Sequence, residues 1–136
     1  MESLTINAEV RNLGIVNNFV LSRLENCGCR DSRTLMQIRL AVEEIFVNIA
    51  SYAYDPSVGP AEVRCEVLQD PLRVVIQFLD GGRPFDPLGK EDADVSEEAL
   101  MEREGGLGIL LVKETMDADD YEYVNGKNIL TIQKNL

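Results

Sequence analysis

Residues 34–54 read TLMQIRLAVEEIFVNIASYAY. Leu35, Ile38, Val42, Ile45, Ile49 and Ala53 recur at intervals of three and four, so they share one helix face and give it a side to bury. Glu44 and Asn48 stand four apart just beside that stripe, one above the other, at the rim of whatever the helix packs on. A carboxylate and an amide oxygen so placed can share a metal ion or a water. A solvated Glu–Asn pair is the plainer alternative, and the rest of the chain decides between them.

On the amino-terminal side, Glu2 to Ile6 alternates as a short strand. Asn7 then offers a cap to a helix through Val10, Leu13, Val16, Val20, Leu24 and Cys27, which Asn26-Cys27-Gly28 ends. Asp31 or Ser32 caps the central helix, and Asp55-Pro56 with the loop containing Gly59-Pro60 stops it.

From Ala61 the period changes to two. Val63, Cys65 and Val67 form one strand, and Leu72, Val74, Ile76 and Phe78 share a face of the next, which ends at Asp80. Gly81 to Glu104 has no sustained apolar period and exceeds ordinary connections in length, with Val95 to Arg103 as a brief helix inside it. Gly105 to Met116 reads as a helix. YEYV and ILTI pair across Asn125-Gly126, with Lys127 and Asn128 extending the turn. The order β-α-α-β-β-loop-α-β-β predicts an α+β, two-layer sandwich, with helices on one face of a mixed, mostly antiparallel sheet.

The 136 residues are expected to form a single domain, with 45% hydrophobic and 27% charged residues as in globular proteins. Apolar runs are too short to cross a bilayer, and Met1 leads into SLTI rather than a basic segment followed by an apolar one. A cytoplasmic location is the expectation. A net charge of −11 argues against nucleic acid or an anionic membrane as partner, while a small anionic ligand needs only a local pocket of N–H groups. Three cysteines, Cys27, Cys29 and Cys65, are expected as thiols. The absence of histidine removes Ser-His-Asp and Cys-His catalysis and His-ligated metals.

Two further stretches could complete a site around Glu44 and Asn48. Asp80-Gly81-Gly82-Arg83-Pro84-Phe85-Asp86-Pro87 sets a carboxylate at a strand end beside glycines. It is either an acceptor for an exocyclic amine such as adenine N6, or a simple Asp-Gly turn. Gly105-Gly106-Leu107-Gly108 opens a helix, where phosphate oxygens can approach free N–H groups and the positive end of the dipole. It is neither a Walker A loop nor a Rossmann fingerprint.

In this order and spacing the three motifs resemble the GHKL ATP-binding superfamily of gyrase, heat-shock chaperones, histidine kinases and MutL. Gly-x-Pro-Phe-Asp-Pro at 82–87 and Gly-Gly-Leu-Gly followed by Ile-Leu-Leu-Val look most like the bacterial anti-sigma-factor serine kinases. The resemblance implies ATP and Mg²⁺ as cofactors, with a lid over about 86–104. Asn48 would be the Mg²⁺ ligand and Glu44 the base that takes the proton of the attacking hydroxyl. Asp80 would read adenine with Gly82 giving the base room, and Phe85, Gly105, Gly106, Leu107 and Gly108 would complete the nucleotide site. Arg103, or a residue of the partner, would meet the developing phosphoryl charge. Glu43, five residues from Asn48, is turned toward another face. Tyr52 stands where many relatives carry histidine, and is either packing or a pocket neighbour; Asp92, Asp94, Glu97 and Glu98 read as a solvated lid surface.

The implied activity is phosphorylation of a serine on a STAS-type anti-sigma-factor antagonist, with a sigma factor as second partner and a homodimer built on the first strand. The alternative is a nucleotide-gated binding module with little or no phosphoryl transfer.

Overall fold

The computed structural model describes residues 1–88 and 106–136, and Gly106 and Leu107 by their backbone alone. Arg103, Gly105, the brief helix expected at 95–103 and the acidic positions 92–98 lie outside the described residues.

Five strands form one sheet: β1 (Glu2–Asn7), β2 (Pro60–Leu68), β3 (Arg73–Asp80), β4 (Ala118–Val124) and β5 (Lys127–Asn135). Their order is β1-β2-β3-β5-β4, and every neighbouring pair is antiparallel, which corrects the expectation of a mixed sheet. Helices α1 (Leu13–Asn26), α2 (Ser32–Asn48) and α3 (Gly106–Thr115) supply the other layer. Val63, Cys65, Val74, Ile76, Phe78, Leu130 and Ile132 alternate onto one sheet face and meet Val16, Val20 and Leu24 of α1, Ile38, Val42, Ile45 and Phe46 of α2 and Val112 of α3. Each large side chain removed from water there contributes about 1.5–3 kcal/mol. This is an α+β sandwich with the core between the layers.

Local chemistry sets most element ends. Asp31 accepts from Thr34 N at 3.1 Å and Thr34 Oγ1 at 2.5 Å, and these bonds hold its carboxyl below the usual range. Asn7, by contrast, caps nothing. Ala8 N donates to Gly59 O at 2.8 Å, which keeps the chain tied to the strand region, so it turns through a short 3₁₀ segment, Val10–Asn12, before α1 begins.

The central helix also departs from its expected course. It is α-helical only to Asn48, then widens into a π-helical turn over Ile49–Ala53. The widened turn delivers Ala53 O to Arg83 N at 3.1 Å. Tyr54 follows, its hydroxyl donating to Pro60 O at 2.5 Å and accepting from Gly81 N at 2.8 Å. At the same end of the strands Asn125 and Gly126 carry φ of 53° and 76°, the left-handed pair a two-residue hairpin turn requires. β5 therefore starts at Lys127, and Asn128 is a buried strand residue rather than part of the turn.

Candidate functional site

The inward alternation of β3 ends on a carboxylate. Val74, Ile76 and Phe78 are buried against the helices, and Asp80, next on the same face, is 6% exposed. Its cross-strand partner on β5 is Asn128. Asp80 Oδ1 accepts from Gly82 N and from Asn128 Nδ2, each at 2.9 Å. Asn128 Nδ2 also donates to Arg83 O at 2.8 Å, while its Oδ1 accepts from Phe85 N at 3.1 Å and from the Tyr121 hydroxyl.

These residues wall a pocket of about 400 Å³, counting its open mouth. Ile45, Ile49, Phe78 and Leu130 form its apolar part, and Asn48, Asp80, Tyr121 and Asn128 supply polar groups. A mostly apolar cleft with a few convergent polar groups is the usual form of a small-molecule site. Phe85 lines it as well, its ring 6.4 Å from that of Tyr52 at an angle of 48°. Tyr52 is thus a packing partner of Phe85 and stands outside the lining.

Asn48 reaches the pocket from the last α-helical turn. Its Nδ2 donates back to Glu44 O at 2.9 Å, which leaves Oδ1 as the oxygen available to a ligand. Among the described residues no cluster of three or more carboxylates or cysteines could hold a metal. One amide oxygen nevertheless suits Mg²⁺, which keeps several waters and is commonly bound by one or two protein oxygens together with substrate phosphates.

Glu44 lies one turn before Asn48. Its neighbour Glu43 is engaged, accepting from Asn17 Nδ2 at 3.1 Å and Arg39 Nε at 3.2 Å, in a contact between α1 and α2. Glu44 points the other way. Its carboxylate lies against Gly108 of α3, so closely that a Cβ there would coincide with it. Burial, and secondly the Glu43 charge, raise its pKa above the ordinary 4.5. Among the described residues α3 runs from Gly106 to Thr115, which sets Gly108 in its amino-terminal part.

Two glycines of the expected site also make room for a neighbour. The space a side chain would fill at Gly82 is taken by Ala53 O, so this glycine admits the widened turn. At Gly108 the space is taken by Glu44. The structure brings Asn48, Asp80 and Phe85 to one pocket, with Glu44 and Gly108 paired beside it.

Sequence reasoning missed Asn128 and Tyr121. The signal for Asn128 was present, because the alternation of Leu130 and Ile132 extended back by two positions puts Asn128 on the inner face.

A sandwich of this order, carrying a helix-borne Glu-x-x-x-Asn beside a buried Asp at a strand end, belongs to a class of ATP-binding domains. Residues 6–134 match the histidine kinase-like ATPase domain, and the chain belongs to that family. It is similar to the serine/threonine-protein kinase BtrW of Bordetella bronchiseptica, 27% identical over 135 residues that cover 97% of this chain and 94% of that protein. It is also similar to the serine-protein kinase RsbW of Staphylococcus aureus, 34% identical over 87 residues, 58% of this chain and 52% of that protein.

Proposed function

We propose that this chain is an ATP- and Mg²⁺-dependent protein kinase that phosphorylates a serine of a STAS-type anti-sigma-factor antagonist. The observation that carries the proposal is Glu44, a carboxylate unclaimed by any cation among the described residues, one turn before Asn48 and against the start of α3. Glu43, its rival, is committed to Asn17 and Arg39.

In this reading Asp80 holds the base, Phe85 and the apolar wall exclude water around it, and Asn48 Oδ1 holds the metal. Mg²⁺, when bound, neutralises phosphate charge. Glu44 takes the proton of the serine hydroxyl as its oxygen bonds to the γ-phosphorus, and the bond from that phosphorus to the bridging oxygen of ADP breaks. Backbone N–H groups of Gly106 and Gly108 are the proposed donors to the phosphates. Arg103 is the proposed cation for the transferring group. A sigma factor as second partner, a homodimer through the edge strand β1 and a cytoplasmic location complete the proposal. Consistent with that location, no helix among the described residues is long and apolar enough to cross a membrane.

The experiment is transfer from γ-labelled ATP with Mg²⁺ into soluble extract of the source cell, comparing wild type with Glu44→Gln. One small protein labelled on serine by the wild type alone is the expected result. ATP binding without any labelled protein would overturn the kinase and favour a nucleotide-gated binding module.

A further inference from the structure

Asn128 is the buried polar group of the pocket to which no role has yet been given. At 5% exposure it uses both ends of its amide. Nδ2 donates to Asp80 Oδ1 at 2.9 Å and Arg83 O at 2.8 Å, with Gly82 O at 3.5 Å. Oδ1 accepts from Phe85 N at 3.1 Å and from the Tyr121 hydroxyl. Three acceptors thus gather at one end and two donors at the other. Turned over, the amide would set oxygen against oxygen and N–H against N–H, so its orientation is dictated by its partners.

That orientation acts on Asp80. Gly82 N, two residues along the same chain segment, and Asn128 Nδ2, from the neighbouring strand, converge on the same carboxylate oxygen. With Oδ1 held from both sides, the carboxylate plane is fixed. Among the described residues no hydrogen bond reaches Oδ2, and Asp80 lines the pocket. A fixed acceptor in a largely apolar wall distinguishes sharply between a donor and another acceptor, because the wrong group leaves two desolvated oxygens facing each other.

We infer that Asn128 is a positioning residue that sets base selectivity: by holding Asp80 through one oxygen it leaves the other to accept from an exocyclic amine, selecting 6-aminopurine over 6-oxopurine nucleotides. The inference rests on the nucleotide reading of the site and extends it from binding to selectivity. A residue serving only to tie β5 to residues 83–85 would affect all ligands alike.

Calorimetric titration of the whole chain with ATP and with inosine triphosphate, which carries a carbonyl in place of the amine at position 6 and an N–H in place of the bare nitrogen at position 1, separates the two roles. Wild type is expected to prefer ATP on the order of 10²-fold. Asn128→Ala should cut that ratio about tenfold by weakening ATP, with inosine triphosphate changed less than about threefold. Asn128→Thr, which keeps strand propensity and one donor, should give an intermediate ratio and serves if the alanine variant fails to fold. Equal loss for both nucleotides, or an unchanged ratio in a variant that melts cooperatively, would overturn the inference. Wild type binding neither nucleotide would overturn the nucleotide reading itself and the inference with it.

Discussion

The carboxylate of Glu44 occupies the place where a side chain at Gly108 would begin. Helices α2 and α3 meet at this point through a glutamate and a missing methyl group. The contact brings the proposed base against the described amino-terminal part of α3, so one glycine couples two parts of the proposed site.

Gly108→Ala tests that coupling. Alanine in a helix ordinarily gains about 0.5–1 kcal/mol over glycine. Here the new Cβ must displace Glu44, so Gly108→Ala is expected to destabilise the chain and to reduce transfer toward the level of Glu44→Gln. In a Glu44→Ala background the alanine gain should reappear. Urea denaturation of the four proteins closes the cycle; additive effects would mean that the two residues do not touch.

The raised pKa of Glu44 gives a pH dependence with a definite sign. Transfer needs the ionised form, so the acid limb of the rate should lie above that of an ordinary glutamate, and Glu43→Gln, by removing a like charge, should move it down. The stability effect follows from the same shift. A carboxyl whose folded pKa exceeds its unfolded one costs stability above the folded pKa, and the cost vanishes as pH falls below the unfolded value. Glu44→Gln should therefore melt higher than wild type at neutral pH, by a margin that closes in acid. An acid limb at the ordinary glutamate position would remove Glu44 as the titrating base.

Tyr54→Phe keeps the ring and removes two hydrogen bonds, to Pro60 O and from Gly81 N. At roughly 0.5–1.5 kcal/mol each, a loss of about 1–3 kcal/mol in chemical denaturation is expected. Weaker ATP binding should accompany it, since Gly81 adjoins Asp80. A loss confined to stability would show that the ends of β2 and β3 hold the pocket without this clasp.

Burial pushes the Cys65 thiol up to about 11, while Cys27 and Cys29 are half-buried. Only about a thousandth of such a thiol is thiolate three units below its pKa, and the thiolate is the reactive form. A disulfide reagent at mildly alkaline pH should label at most two thiols in the native chain and a third only on unfolding. Rapid labelling of Cys65 in the folded protein would contradict its burial in the core.

Much of this was legible in the sequence because the relevant signals are local. The stripe from Leu35 to Ala53 marked the central helix, alternation marked β2 and β3, and Asn125-Gly126 fixed the hairpin. The juxtaposition of Asn48 with Asp80 followed once the three motifs were taken together. What stayed hidden depends on contacts between distant segments. The Asn7 cap was displaced by a tie to Gly59, and the widening after Asn48 reflects Ala53 O meeting Arg83 N. Asn128 reads as a turn residue until its pairing with Asp80 is known. Likewise, nothing local could show that Gly82 makes room for Ala53 and Gly108 for Glu44.

The π-helical turn at Ile49–Ala53 works as a phase correction. An α-helix advances by about 100° per residue, and a widened turn absorbs one residue more than that pitch allows. Deleting a single residue from IASYA would remove the residue that the widening absorbs, so α2 could run on as regular helix and reach Tyr54 in nearly the same phase. Keeping all five residues in regular α-helix would instead swing every residue after them about 100° around the axis, taking Tyr54 away from Pro60 and the Ala53 carbonyl away from Arg83. With five residues in this stretch, the width of the turn is what sets Tyr54 and the Ala53 carbonyl against their partners.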